Sequence, residues 1–372
     1  MRRKILVTGG AGFVGSHTVD ALLREGHSVR VFDNLSDQVH HGKFPGYLSR
    51  EVEFIGGDVR DIEALRNAIA GVDVVYHFAA AVGVGQSMYE IAHYMEVNTQ
   101  GTANLLQALL DAGNKIEKLI LASSMSIYGE GCYHCLQHGM SAPPPRPAAQ
   151  LRAKLWEVAC PECGRALEPV ATAESKPLQC SSIYALGKKD QEEMCLLFGR
   201  TYEVPVVALR YFNIYGTRQA LSNPYTGVAA IFASRLLNGR APLIFEDGEQ
   251  LRDFVSVHDV VQANLLAMQH SEADGLALNI GSGQPVTISR IAETLARTLG
   301  VHGVSEITGK YRAGDIRHCF GDITLAKRML GYSPHHQLDT AIAELVEGLR
   351  SQTAVDGADE AAGRLIAYGL TA

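Results

Sequence analysis

No run of apolar residues in the 372-residue chain approaches the ~18 that a membrane-spanning helix needs, which excludes a helical membrane protein. Positive charge is also scarce. Thirty-three lysines and arginines against 40 aspartates and glutamates leave a net charge of −7, the wrong balance for a general nucleic-acid binder. Met1-Arg2-Arg3-Lys4 before Ile5-Leu6-Val7 has the opening of a secretory leader. Gly9, Gly10, Gly12 and Gly15 interrupt the apolar run at once, so a buried first strand is expected, in a cytoplasmic protein. No internal repeat is visible. What is present, 47% hydrophobic and 20% charged residues over a length for one large or two modest domains, fits a soluble globular chain.

Strand-like runs alternate with helical periods through the first half. Residues 5–8, 28–32, 52–55, 74–78, 119–122 and 205–209 read as strands, with helices near 14–25, 62–69, 88–112 and 183–202. That alternation implies an α/β fold, a Rossmann-type doubly wound parallel sheet whose ligand lies at the carboxyl ends of the strands. Residues 131–180 break the rhythm, with Pro143-Pro144-Pro145, two Cys-x-x-Cys pairs and a helical period only around 148–158. They read as an insertion in a dinucleotide-binding domain over 1–210. A smaller C-terminal substrate lobe is expected over 211–372, with 255–270 returning to the first domain as a strand and helix. The tail from 339 to 372 reads as helical, with a break near Asp356-Gly357.

The first strand runs straight into Thr8-Gly9-Gly10-Ala11-Gly12-Phe13-Val14-Gly15 and then an apolar helix. Glycines there permit a tight turn and close backbone approach to a pyrophosphate, and the helix N-terminus offers free N–H groups to it. Gly9, Gly12, Phe13, Val14 and Gly15 are therefore candidate cofactor contacts. Asp33, ending the second strand, can accept both ribose hydroxyls of NAD and would repel a 2′-phosphate; no Arg or Lys follows until Lys43. A surface turn at Asp33-Asn34 is the plainer alternative. Asp58-Val59 suits an adenine contact or a simple turn. Phe78, Ala79 and Ala80 close the fourth strand with small residues under a passing cofactor, and Asn98 lies on the helix that follows.

Tyr184 and Lys188 are four apart on a predicted helix, so the ammonium can sit beside the phenol. A free phenol titrates near pH ~10, and a neighbouring cation moves it toward the range of a general base. Ser123-Ser124-Met125-Ser126 leaves the fifth strand at its carboxyl end and places several hydroxyls there.

With these stretches, and with Asp33-Asn34-Leu35, Leu209–Gly216, Arg252-Asp253-Phe254, Asn279-Ile280-Gly281 and Arg312–Asp315, the chain resembles the extended short-chain dehydrogenase/reductases of the nucleotide-sugar epimerase and dehydratase group, over most of its length outside 131–180. The resemblance implies bound NAD and a nucleotide-diphosphate sugar as substrate. It implies Tyr184 as base, Lys188 lowering its pKa and holding the nicotinamide ribose, and Ser124 on the reacting sugar oxygen, with Ser126 nearby. Asn213, Arg252 and Arg312 would hold the diphosphate, and Asp315 would lie near the nucleotide ribose. A homodimer is implied through helices around 95–112 and 183–200. Family members that dehydrate a 4-keto sugar carry Asp-Glu after the serine. Met125 and Ser126 stand there instead, which favours a 4-epimerase.

Cys132-x-x-Cys135 and Cys160-x-x-Cys163, 24 residues apart, have the spacing of a tetrahedral zinc–thiolate site. His134 and His138 are substitute ligands. Four thiolates leave no open position, so the zinc is expected to be structural, ordering an insertion with too few apolar residues to fold alone. Cys180, Cys195 and Cys319 read as isolated packing residues or free thiols. A zinc insertion between catalytic serine and tyrosine resembles a bacterial subgroup that acts on dTDP-linked 6-deoxy sugars, the dTDP-L-rhamnose 4-epimerases. UDP-glucose or UDP-N-acetylhexosamine 4-epimerisation and an atypical dehydratase remain alternatives, as does a non-catalytic NAD-binding scaffold. The insertion's Arg146, Arg152, Lys154, Arg165 and Lys176 are too sparse for nucleic acid.

Overall fold

The β-branched and leucine-rich runs form one parallel sheet. In the computed structural model, which describes residues 1–371 apart from 114–115, 221–222, 224, 226, 302–304, 313 and 351–356, seven strands build it. They are β1 (Lys4–Thr8), β2 (Ser28–Asp33), β3 (Glu53–Gly56), β4 (Val74–His77), β5 (Lys118–Ser124), β6 (Val206–Tyr211) and β7 (Ala277–Ile280). Their spatial order is β3-β2-β1-β4-β5-β6-β7, with every neighbouring pair parallel. The chain reverses direction across the sheet between β1 and β4, the point where ligands sit in such folds.

Strand side chains alternate between the two faces. Ile5 and Val7 enter one core with Val19, Val31, Ile120 and Leu209, while Leu6 enters the other with Leu65, Val75, Leu105 and Leu121. Helices cover both faces, among them α1 (Phe13–Arg24), α2 (Gly101–Asp111), α3 (Ile183–Tyr202) and α4 (Val257–Gln269). Ser182 begins α3 by accepting the Ala185 N–H at 3.1 Å, and no proline interrupts its twenty residues. The helix expected over 88–112 is not continuous. Residues Ile91–Tyr94 pass into a wide π-helical turn, Met95–Gln100, before α2, and Asn98 sits in that turn.

A second, smaller sheet joins Asn213–Tyr215, Leu251–Ser256 and Pro285–Thr287 beside helices Val228–Leu237, Ile288–Leu299 and Leu338–Arg350. These elements share a core of Phe232, Ile291, Leu295, Ile342 and Leu345. More than 255–270 returns to the first core: β7 is its edge strand, and Ala326, Leu330 and Tyr332 pack there too. In the insertion, Cys132–Cys135 pairs antiparallel with Gly139–Ser141 and with Glu168–Val170 over a small core of Tyr133, Val158 and Leu167. Its helical period yields only Ala148–Arg152. The tail continues in a helix at Ala358–Ala367; of the break expected near Asp356-Gly357, Asp356 lies outside the described residues. No described helix is long and apolar enough to cross a membrane.

Candidate active site

A cleft of about 430 Å³ opens at the carboxyl ends of the strands, lined by Gly9, Gly12, Phe13, Val14 and Gly15, by Asp33, Asn34, Asp58 and Val59, by Phe78–Ala81, and by Ser124, Tyr184, Lys188 and Asn213. The glycine positions are sterically required. A side chain at Gly9 (φ +67°) would place its Cβ 2.8 Å from the Ala79 nitrogen, and one at Gly15 would lie 2.2 Å from the Gly9 carbonyl. Helix α1 starts at Gly12 with no side chain capping it, so its first-turn N–H groups are unmet at the cleft wall, where a phosphate fits. Asp33 is fixed by the Ala11 N–H on Oδ2 (3.0 Å) and the Leu35 N–H on Oδ1 (2.9 Å). Asn34 donates to Asp58 at 3.0 Å, and Arg60 beside it brings the Asp58 carboxyl down to about 2.

The strand end at Phe78–Ala81 is held from behind. Thr8 Oγ1 accepts the N–H groups of Phe78 and Ala79, each at 3.2 Å. Asn98 does not line the cleft; it grips Ala81 by both backbone groups, accepting its N–H at 2.8 Å and donating to its carbonyl at 3.1 Å. Beneath lies His77, 1% exposed, with Nδ1 2.8 Å from Thr8 Oγ1 and Nε2 2.9 Å from Thr102 Oγ1. Thr8 Oγ1 already accepts two N–H groups, so its proton must go to Nδ1 and the ring is the neutral Nε2–H tautomer. Burial, with the Lys188 charge nearby, lowers the His77 pKa to about 3.

Ser124 ends β5 and Tyr184 and Lys188 lie on the first two turns of α3, which is how residues 60 or more positions apart come to share one corner. Burial raises the pKa of the Tyr184 phenol, and the nearby Ser124 hydroxyl opposes that rise. Lys188 Nζ donates to the Ala122 carbonyl at 2.9 Å, and burial lowers its pKa to about 7. The lowering of the phenol expected from Lys188 is thus supplied here by Ser124. Ser126 stands behind Ser124, donating to its Oγ from both N–H (3.1 Å) and hydroxyl (2.9 Å). Met125 is buried with Tyr128, Phe212 and Cys319. Among the described lining residues the carboxylates are Asp33 and Asp58, at the β2–β3 end of the sheet.

The expected diphosphate arginines lie elsewhere. Arg252 donates to the carbonyls of Leu251, Ile316 and Arg317 at 2.7–2.9 Å, while Arg312 pairs with Asp315 at 2.8 Å over the Phe245 ring; none of the three lines the cleft. Arg218 does, immediately beyond the Leu209–Gly216 stretch, bonded to Asp20 at 2.7 Å and with its other terminal nitrogen buried and unpartnered. Asn213 Oδ1 and Gln219 Oε1 are likewise buried without partners in residues that line the cleft, which marks polar positions that a ligand would satisfy.

The cysteine pairs need one correction. Cys135, His138, Cys160 and Cys163 place their donor atoms within 4.8 Å of one another, and Cys132 is not among them. Cys135 lies 3.7 Å from Cys163 sulfur to sulfur, and His138 Nδ1 is 3.6 and 3.5 Å from the sulfurs of Cys135 and Cys160. Ligands ~2.3 Å (sulfur) and ~2.0 Å (nitrogen) from one tetrahedral centre stand about 3.5–3.8 Å apart, so the donor set fits such an ion. In the strand Cys132–Cys135 side chains alternate, with Cys132 and Cys135 three positions apart on opposite faces; the hairpin returns His138 instead.

A dinucleotide cradle ending at a hydroxyl–phenol–amine corner defines an enzyme that oxidises or reduces a carbon bearing oxygen. The NAD dependent epimerase/dehydratase family model matches residues 5–149 and 159–281. The dTDP-L-rhamnose 4-epimerase of Burkholderia thailandensis is 33% identical over 92% of this chain and 94% of its own. A UDP-glucose 4-epimerase from Thermotoga maritima, solved with UDP-glucose, is 32% identical with a TM-score of 0.77 over 93% of this chain and 98% of its own. One from Thermus thermophilus in complex with NAD is 29% identical with a TM-score of 0.72, over 94% and 100%. The chain belongs to the NAD-dependent epimerase/dehydratase family and is an enzyme of nucleotide-sugar chemistry.

Proposed function

We propose that the chain inverts C4 of a nucleotide-linked sugar through a transient 4-keto intermediate, and that its substrate is dTDP-L-rhamnose, giving dTDP-6-deoxy-L-talose. The observation that carries the epimerase reading is the Ser124–Tyr184–Lys188 corner, beside which none of the described cleft-lining residues carries a carboxylate. Elimination across C5 and C6 needs an acid and a base there; Met125 is packed in an apolar cluster and Ser126 is spent on Ser124.

Gly9, Gly12 and Gly15 with the start of α1 would hold the pyrophosphate of NAD, Asp33 its ribose, Asp58 and Val59 its adenine, and Lys188 its nicotinamide ribose. NAD, when bound, would supply a hydride acceptor and positive charge to the site. Ser124 orients the C4 oxygen, and Tyr184 takes its proton and later returns one to the oxygen on the other face. The raised phenol pKa means that Tyr184 depends on positive charge in the site to act as base. Asn213 would meet the diphosphate by donating from its amide N–H groups, its Oδ1 having no protein partner that fixes the amide otherwise. Arg312 and Asp315 can join only by opening their mutual pair, and Arg252 only by leaving three carbonyls.

The rhamnose assignment is supported by the Burkholderia relative and by the insertion; the Thermotoga structure favours UDP-glucose as the alternative. One structural zinc at Cys135, His138, Cys160 and Cys163 is part of the proposal. So is a homodimer through α2 and α3, where Leu110, Leu186 and Leu197 are exposed; light scattering on Leu197→Glu should report a monomer. The decisive experiment follows UDP-, dTDP- and GDP-sugars by NMR, with C4 inversion of dTDP-L-rhamnose and no net NADH expected. A stable 4-keto-6-deoxy product from a 6-hydroxy sugar would overturn the reading.

A further inference from the structure

Where the insertion meets the second sheet, eight charged or aromatic side chains close into one network with a buried centre and a partly exposed rim at Glu157 and Asp247. Arg317, 1% exposed, is its centre. Its guanidinium donates to Glu157 (2.6 and 3.0 Å), Asp247 (2.6 and 2.9 Å) and Glu246 (3.0 Å), and its backbone N–H to Glu130 at 2.7 Å. Arg146 bridges Glu246 at 2.7 Å and the Asp315 carbonyl at 3.2 Å, with Glu130 3.5 Å from its Nε. Glu130 also accepts the Tyr133 hydroxyl at 2.8 Å, and Glu157 meets His318 at 3.2 Å.

Glu130 abuts the insertion, and Tyr133, Arg146 and Glu157 lie within it; the remaining members belong to the segments 246–247 and 315–318. From there a short path of direct contacts reaches the cleft. His318 Nδ1 accepts the Leu251 N–H at 3.0 Å, and the carbonyls of Ile316 and Arg317 hold the Arg252 guanidinium. Leu251 and Arg252 open the strand whose Phe254 pairs with Asn213, and Phe254 and Asn213 both line the cleft.

We propose that the insertion is a splint for the substrate wall of the cleft: Glu130, Arg146 and Glu157 hold Arg317, and through it the Leu251–Phe254 strand and Asn213, in the position that binds the nucleotide sugar. Arg317, Arg146 and Glu157 are thereby positioning residues and touch no substrate. Planar guanidinium forks suit the task, since each fixes several acceptors in set directions where an ammonium could not. Among the described residues, no hydrogen bond or ion pair of this network reaches β1, β2 or α1, the dinucleotide half of the cleft, so the proposal requires that half's affinity to be independent of it.

This inference rests on the nucleotide-sugar reading, and two measurements keep the two separable. Glu157→Gln, at a side chain half exposed, and Arg317→Met should both raise the KM for the nucleotide sugar, within the 5–150-fold range typical of coupling between sites. Turnover number and NAD content should stay near those of the unsubstituted enzyme, and Arg317→Lys should recover part of the KM. An unchanged KM in folded Glu157→Gln, or KM, turnover and NAD retention failing together, overturns the splint. Should the unsubstituted enzyme convert no sugar, the catalytic reading fails alone. Calorimetry with dTDP and UDP then still tests the splint, which requires weaker nucleotide binding by Glu157→Gln with NAD affinity unchanged. No binding of either nucleotide by the unsubstituted protein overturns both.

Discussion

At the scale of the residue, the phenol oxygen of Tyr184 has one chemical task and little structural one, because the bond that seats Tyr184 on α3 is its backbone N–H to Ser87 Oγ at 3.0 Å. Tyr184→Phe should therefore keep the fold and bound NAD while losing about 10²–10⁴-fold in turnover, the range for a positioned base; near-normal epimerisation would rule the assignment out. His77 makes a different, pH-linked prediction. Its folded pKa, about 3, lies below the unfolded 6.5, so the stability it confers is present above pH 6.5 and is lost as pH falls from 6.5 toward 3. Each unit in that window costs up to ~1.4 kcal/mol. Urea unfolding at pH 7 and pH 5 should show the decline, and His77→Gln, which cannot titrate, should show a shallower one even if it is less stable at pH 7. Tyr184, Lys188, Ser124 and the glycines could be read from the chain because their spacing encodes their geometry. Arg218 and Gln219 could not, since their only signal was to follow a recognisable stretch, and the burial of Arg252 depends on carbonyls sixty residues away.

At the scale of the element, strands β1 to β6 and helix α3 were legible to within about two residues, as buried parallel strands and long uninterrupted helices declare themselves by period. The edge strand β7 did not, since Asn279 interrupts its apolar run and glycines at 275 and 281 close in on either side. The insertion's cysteine spacing identified a metal-binding pattern but not the ligand set, because a strand's alternation, not spacing, decides which thiol faces the site. That yields a discriminating prediction. Purified without added metal, the protein should hold one zinc per chain; Cys135→Ser, Cys160→Ser and His138→Ala should lose it, and Cys132→Ser should keep it. Thiolate sites supply folding energy locally, so the metal-free variants should lose order in 131–180 while retaining NAD. Equal metal loss in Cys132→Ser would restore the four-cysteine set.

At the scale of the whole molecule, the sheet and the smaller body meet at one cleft, which the insertion reaches indirectly, through its ion pairs to Arg317, and the reaction proposed for it needs that enclosure. The sheet order sets the glycine loop beside the β1–β4 reversal, where the sequence alone implied only the carboxyl ends of the strands, and the union of insertion and second sheet is made by long-range ion pairs that no local pattern announces. If C4 is inverted here, its hydrogen must leave one face of the sugar and return to the other without meeting solvent. The sugar must turn while its diphosphate stays anchored on the Asn213 side, over a corner where Ser124, Tyr184 and Lys188 are the polar groups. A substrate deuterated at C4 should then give epimer with deuterium still at C4, and unlabelled substrate in heavy water should gain none. Tyr184 exchanges its proton only with the C4 oxygen, so no carbon-bound label passes through it. Accumulation of the label as reduced nicotinamide would show that the keto sugar escapes and that the cleft performs a net oxidation, and loss of the label to water would show that C4 is deprotonated rather than oxidised by hydride transfer.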